Sequence, residues 1–371
     1  MRESKVKSAM KYVYPALPPL LLFAVFQIVK RDSGAVNVYV SRFAYPLRTA
    51  LGKFSSHLPF SLMELFYTAL ILWVIFFLVR TVYILIKRDR TAAAFFKRLF
   101  ILLLVAFYIA ALYSMLFGLD YYAQSFSEKS GLDASGIYLS DLENVTRYFA
   151  LKASEYSRLV ERDENGSVCE ELDDIFAFAK SSYDGITDEF PFLDSEIFTP
   201  KKMAYSKIMS YMGFTGVYFP FTGESNVNVH SPRAFIPDTV THEIAHQKGV
   251  TSEAECNFIG IAAAVSSQNM AYRYSGYLSG LVHLMNALGR ADPELWRELR
   301  AGFSEELDHD WEENRLYWDR MEIHLTHVTE NIYDKYLKSY GQTLGMASYG
   351  ACVNLLVTYF AEEAAENTAD L

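Results

Sequence analysis

The run His242-Glu243-Ile244-Ala245-His246 brings together residue types that hold and use a divalent cation. Residues four apart share one face of a helix, so both imidazoles can turn toward a single ion. Glu243 lies beside them, placed to take a proton from a water on that ion. Two imidazoles, one further ligand and an open position for water make the donor set with which zinc hydrolyses a peptide bond. Zn2+ is therefore the expected cofactor.

The next residues offer the missing ligand. Gly249 should stop the histidine helix, because it tolerates a left-handed conformation. Ser252-Glu253-Ala254-Glu255 reads as a capping box opening a second helix, with Glu255 reaching back to the Ser252 N–H. That leaves Glu253 as third metal ligand. Asn257, one turn further on the same face, becomes the hydrogen-bond partner that orients a ligand histidine. The competing assignment makes Glu255 the ligand and Glu253 a solvated first-turn acid. Cys256 points about 100° away from Asn257 around the helix and reads as a small buried thiol.

Positioning these residues is the task of a chain of 371 residues, long enough for a membrane region and one further domain. Three early segments, 12–29, 61–86 and 99–119, each approach the roughly 20 apolar residues that a spanning helix needs. Lys30-Arg31-Asp32 follows the first, where a cleaved leader would carry small residues, so an uncleaved anchor is expected. Arg2, Lys5, Lys7 and Lys11 precede the first segment, and Lys87, Arg88, Arg90, Lys97 and Arg98 separate the second from the third. The positive-inside rule places both groups in the cytoplasm, so the chain from Asp120 onward faces outward. Residues 1–119 thus read as a multi-pass membrane region and 120–371 as an extracytoplasmic domain. The loop 30–60, with Arg42, Arg48 and Lys53, suits an amphipathic helix lying among lipid headgroups and bent at Pro46.

Charge divides the same way. Residues 1–119 carry 15 Lys/Arg against 4 Asp/Glu, and the remainder 19 against 40. An acidic second part argues against nucleic acid. Cys169, Cys256 and Cys352 do not make a disulfide scaffold; a Cys169–Cys352 bond is open.

Two resemblances emerge from these residues. His-Glu-x-x-His followed by Glu253-x-x-x-Asn257 resembles the gluzincin zinc metallopeptidases, with a gap of six residues after His246 that is shorter than in most of them. Over nearly the whole chain, Leu58–Leu65, Pro220-Phe221-Thr222-Gly223-Glu224, the His-Glu-Ile-Ala-His-Gln-Lys-Gly run, Tyr336-Leu337-Lys338 and Ser348-Tyr349-Gly350 resemble the bacterial membrane family called domain of unknown function 3810. That likeness implies a metallopeptidase-like domain anchored in a bacterial cell membrane.

The expected fold class is α+β and mainly helical: three spanning helices, then a zincin-like domain with a small sheet and an active-site helix. Residues 120–192 read as helical and 252–288 as one long helix, with a break near Gly276 or Gly280. Residues 213–229 are rich in aromatic and β-branched side chains, as strands are. In gluzincin-like folds a strand ahead of the histidine helix forms the cleft edge, where an extended substrate pairs with it. Glu224, Asn226 and Asn228 alternate and are the candidate substrate contacts. Tyr349, with Tyr336 behind it, is the candidate oxyanion stabiliser. His283, His309, His324 and His327 have no ligand spacing relative to the main motif.

Two functions fit these residues. The first is a membrane-tethered zinc endopeptidase acting on a peptide or protein at the bilayer surface, with Glu243 as general base. The second is a non-catalytic zinc-binding sensor or scaffold on the same fold. The apolar run 258–265 is too short to place the metal inside a bilayer.

Overall fold

The computed structural model describes residues 2–87, 91–132, 134, 136–342 and 349–368. The chain is mainly helical, with one three-stranded sheet. It divides into two compact units: Met1–Leu51 with Leu62–Ala123 and Pro220–Thr222, and Gly52–Ser61 with Gln124–Phe219 and Gly223–Leu371.

The first unit contains α1 (Arg2–Val29), α2 (Ser33–Tyr39), most of α3 (Tyr45–Ser56), α4 (Leu62–Lys87) and α5 (Ala92–Tyr113). Two helices, Leu62–Lys87 and Ala92–Gly118, are long and apolar enough to cross a membrane, each with a mean hydropathy of 2.5. Side chains such as Ile71, Leu72, Phe76 and Val79 stand exposed around α4, the pattern of a helix bathed in an apolar solvent. The apolar part of α1, Val13–Val29, is shorter. Within α1, Pro19 has no N–H to offer the carbonyl of Pro15. The Tyr108 hydroxyl of α5 donates to that carbonyl instead, at 2.9 Å. Helix α5 starts earlier than the apolar run suggests, capped by Thr91, so Lys97 and Arg98 lie on it and not in a loop.

Within the segment 30–60, residues 33–56 are helical, and Pro46 does not break the helix. The chain widens into a π turn, Val40–Ala44, where the Tyr45 N–H reaches back to the Val40 carbonyl. The expectation that its basic residues sit among headgroups fails for Arg48. Arg48 is buried against Asp120, donates to the Leu116 carbonyl and lies over the Phe117 ring. Desolvating the guanidinium is tolerable only with that pairing.

The second unit packs α7 (Leu139–Tyr156), α10 (Ile236–Gln247), α11 (Glu253–Val265), α12 (Met270–Ala291) and α16 (Tyr349–Thr368) around a core that includes Phe149, Val240, Phe258, Leu281 and Leu356. Shorter helices α6 (Phe126–Ser130), α8 (Leu172–Phe178) and α9 (Ser206–Tyr211) precede the motif; α13 (Pro293–Ala301), α14 (Glu305–Met321) and α15 (His324–Ser339) follow it. The long helix expected over 252–288 is two helices. Asn269 caps α12 by accepting from the Ala271 and Tyr272 N–H groups, and Gly276 and Gly280 lie within that helix.

The sheet has the order β1-β3-β2, formed by β1 (Lys201–Lys202), β2 (Gly216–Phe219) and β3 (Glu224–Val227). β3 is central, parallel to β1 and antiparallel to β2, with Gly216 opposite Val227 and Phe219 opposite Glu224. β2 is therefore an edge strand in the region expected to border a cleft. All three cysteines are free thiols, with Cys169 exposed and Cys352 buried, so the disulfide is absent from the structure.

Candidate metal centre

Helix α10 carries His242 and His246 one turn apart, with ring centroids 5.1 Å apart. Gly249, at φ 86°, reverses the chain after the helix, and α11 brings Glu253 in at its first turn. His242 Nε2 lies 3.4 Å from Glu253 Oε2, and His246 Nε2 lies 3.7 Å from Glu253 Oε1. One donor atom from each of the three residues falls within 4.8 Å of the others. Tetrahedral zinc bonds of about 2.0–2.1 Å separate neighbouring ligand atoms by about 3.3 Å. The cluster therefore fits such an ion with small side-chain adjustments, and two imidazoles with one carboxylate are a zinc-type donor set.

Electrostatics point the same way. Burial opposes charge on His242, yet Glu253, Glu243 and Asp238 raise its pKa to about 9. Burial likewise opposes charge on Glu253, but His242 and His246 pull it down to about 2, helped by a hydrogen bond from Tyr333. The site is thus a negative pocket that favours a cation. His246 is also oriented: its Nδ1 is 2.9 Å from the Val250 carbonyl and 3.3 Å from Cys256 Sγ. A carbonyl only accepts, so Nδ1 carries the hydrogen and Nε2 presents its lone pair to the cluster. Burial holds the Cys256 thiol protonated, as expected of a small interior residue.

Glu243 is buried, and its Oε2 has no hydrogen-bond partner among the described residues. Burial first, then the charge of Glu253, pushes its pKa to about 8 against the opposing pull of His242. Its backbone is held by Ser225, which donates to the Glu243 carbonyl at 2.7 Å.

Several expected roles change. The Ser252 side chain makes no cap bond, and Glu255 does not reach back to it. Instead the Glu255 carboxylate accepts from the Phe126 and Ser127 N–H groups, both at 3.1 Å, at the start of α6. Of the two candidate acids, only Glu253 joins the cluster. Among the described residues, Asn257 forms no hydrogen bond with either histidine; the Val250 carbonyl takes the orienting role for His246.

The candidate substrate contacts Glu224, Asn226 and Asn228 are all buried, at 3%, 0% and 0% exposure; the first two lie on the central strand β3 and the third just after it. Asn226 accepts from Ser61 and donates to the Val217 and Glu224 carbonyls, while Asn228 donates to Ser210 and Phe214. These bonds commit the two asparagine side chains to the sheet and its neighbours, and burial withdraws all three residues from the surface. Tyr349 begins α16 and its side chain lies outside the described residues. Among the described residues, the Tyr333 hydroxyl of α15 bonds Glu253 Oε1, with the Tyr336 ring stacked on Tyr333 at 5.7 Å. No spacing in the sequence relates Tyr333 to the histidines, since α15 follows them by some eighty residues.

His309, Asp310 and Glu313 form a second group with donor atoms close together. Asp310 there is fully buried and committed to Arg162, at 2.7 and 2.9 Å, and to Tyr274. That carboxylate is already neutralised by a forked guanidinium, so the group reads as a structural ion pair.

No curated protein and no solved structure matches the chain. Residues 39–357 match the family described as Protein of unknown function (DUF3810), and the chain belongs to that family.

Proposed function

We propose that the chain is a membrane-anchored, zinc-dependent metallopeptidase of gluzincin type. The observation that carries this reading is the buried, unpartnered carboxyl oxygen of Glu243 beside His242, His246 and Glu253. A metal site that only ties elements together has no use for a second carboxyl group with a buried oxygen left unmet; a general base has. Zinc bound by His242, His246 and Glu253 would supply a Lewis acid for the scissile carbonyl and lower the pKa of its water. Glu243 takes the proton of the attacking water at its carboxylate and returns it to the leaving amine. Tyr349 stays the expected donor to the developing oxyanion, and the Tyr333 hydroxyl, which stands at Glu253, is a second donor for it. The edge strand β2, which carries Gly216 against Glu243, aligns an extended peptide by strand addition.

The two apolar helices and the shorter stretch Val13–Val29 give three spans in this reading. They leave the N-terminus in the cytoplasm of a bacterium and residues 120–371 outside the membrane, facing peptide or protein substrates at its surface. A topology reporter fused after Leu119 checks this: cytoplasmic activity of the reporter refutes the placement.

The test of the activity uses the full-length protein in detergent. The reading expects about one zinc per chain, peptide cleavage that stops on chelation, and a Glu243→Gln variant that keeps the metal but loses cleavage. Undiminished cleavage by Glu243→Gln overturns it.

A further inference from the structure

Zinc-bound histidines are normally held through their second ring nitrogen by a carboxylate or carbonyl. His246 has such a holder in Val250. His242 points Nε2 at Glu253, which leaves Nδ1 as the nitrogen to be held, and Asn257 does not bond it. The residue one turn earlier on α10 is Asp238. Side chains on a helix lean toward its N-terminus, so the His242 ring lies over the turn that carries Asp238.

Asp238 is unusual for an acid in a helix first turn. Such residues are ordinarily solvated and stabilised by the helix dipole. Here Oδ1 is buried with no hydrogen-bond partner among the described residues. A buried acceptor left unmet costs about 1–3 kcal/mol, and such groups are rare. The neighbouring wall is α12, whose Ser275 accepts from the Asp238 N–H at 2.9 Å. Burial pushes the Asp238 carboxyl up to about 7; the Ser279 hydroxyl of α12 first, and then the charge of His242, pull it back, while Oδ1 makes no direct hydrogen bond to either. An unmet acceptor and a histidine in need of one thus sit a single turn apart.

We infer that Asp238 is the positioning residue of His242, receiving the Nδ1 hydrogen and keeping Nε2 aimed at the cation. The inference rests on the metallopeptidase reading, since it presumes that His242 is a ligand. It places the orienting carboxylate on the histidine helix itself, four residues before the motif, instead of on the following helix where the Glu-x-x-x-Asn spacing would put it.

The experiment measures zinc affinity of the full-length protein in detergent by chelator competition, for wild type, Asp238→Ala and Asp238→Asn. Melting of the metal-free forms and the visible absorption of the Co2+-loaded forms are recorded in parallel. Loss of an orienting partner weakens metal binding about 10–100-fold. Asp238→Ala should show that loss with no fall in metal-free melting, because an unmet buried carboxyl is removed. Asp238→Asn, which keeps an acceptor oxygen without the charge, should fall between, with a shifted cobalt band. If wild type and both variants hold zinc equally tightly, Asp238 has no positioning role and the metal site stands without it. If melting falls while affinity and cobalt spectrum stay unchanged, Asp238 is structural and the inference fails. If Asp238→Ala does not fold, Asp238→Asn decides alone. Wild type that binds no zinc sinks the metallopeptidase reading, and this inference with it.

Discussion

Gly216 lies so close to Glu243 that a side chain on it would put its Cβ 2.4 Å from Glu243 Oε1 and 2.8 Å from Cδ. The edge strand and the motif glutamate therefore meet through a glycine. Gly216→Ala forces the Glu243 carboxyl to move within a closed site. Misplacing a reacting group by an ångström can cost about 10²-fold in rate. The three atoms nearest that Cβ all belong to Glu243 and none to His242, His246 or Glu253, so peptide cleavage should drop by that order while zinc content stays at the wild-type value. An alanine variant with wild-type turnover would separate β2 from the chemistry.

Glu255 separates structure from function at the start of α11. It is buried, and its carboxylate satisfies two N–H groups and the Ser127 hydroxyl at the start of α6. Glu255→Ala leaves those donors unmet, at about 1–3 kcal/mol. Glu253→Ala removes one of the three donors of the cluster instead. The pair should dissociate cleanly: Glu255→Ala lowers the melting temperature of the metal-free protein with zinc binding kept, and Glu253→Ala loses zinc. The reverse pattern would return the ligand role to Glu255.

How far the sequence discloses this site depends on how local each contact is. His242, Glu243, His246 and Glu253 span twelve residues of two consecutive helices, and helix periodicity with one turn is enough to bring them together. Gly249 is legible for the same reason. The role of Glu255 is not, because its partners stand some 128 residues earlier in the chain. Tyr333 is hidden equally, by a packing of α15 that no spacing encodes. The alternation of Glu224 and Asn226 is correctly read as a strand, which ends one residue before Asn228, but period alone does not say whether that strand is central or an edge. The apolar helices are plain in composition, whereas burial of Arg48 on Asp120 depends on a fold-back of the juxtamembrane segment that charge counting misses.

The ion pair of Arg162 with Asp310 should behave as a stability element only. Asp310 is fully buried and bonded to both guanidinium nitrogens and to Tyr274. Removing one partner of a buried pair costs about 3–5 kcal/mol, since the other charge is stranded. Asp310→Ala should therefore lower the unfolding midpoint strongly, while zinc per folded chain is unchanged. Loss of half the bound zinc in that variant would instead assign a second ion to His309, Asp310 and Glu313.

Tyr333→Phe tests the third wall of the site with the smallest possible change. The ring stays, with its edge contact to Phe214 at 5.4 Å and its stack on Tyr336. Only the hydroxyl that bonds Glu253 disappears. If that hydroxyl donates to the developing oxyanion, its loss costs about 10²–10³-fold in kcat, as for other single donors. KM should change little, because the donor acts on charge that appears only in the transition state. If the hydroxyl does no more than steady Glu253, the loss shows up in zinc affinity, and kcat of the zinc-saturated variant stays near wild type. Steady-state kinetics at saturating zinc, beside a zinc titration of the same preparation, distinguishes the two.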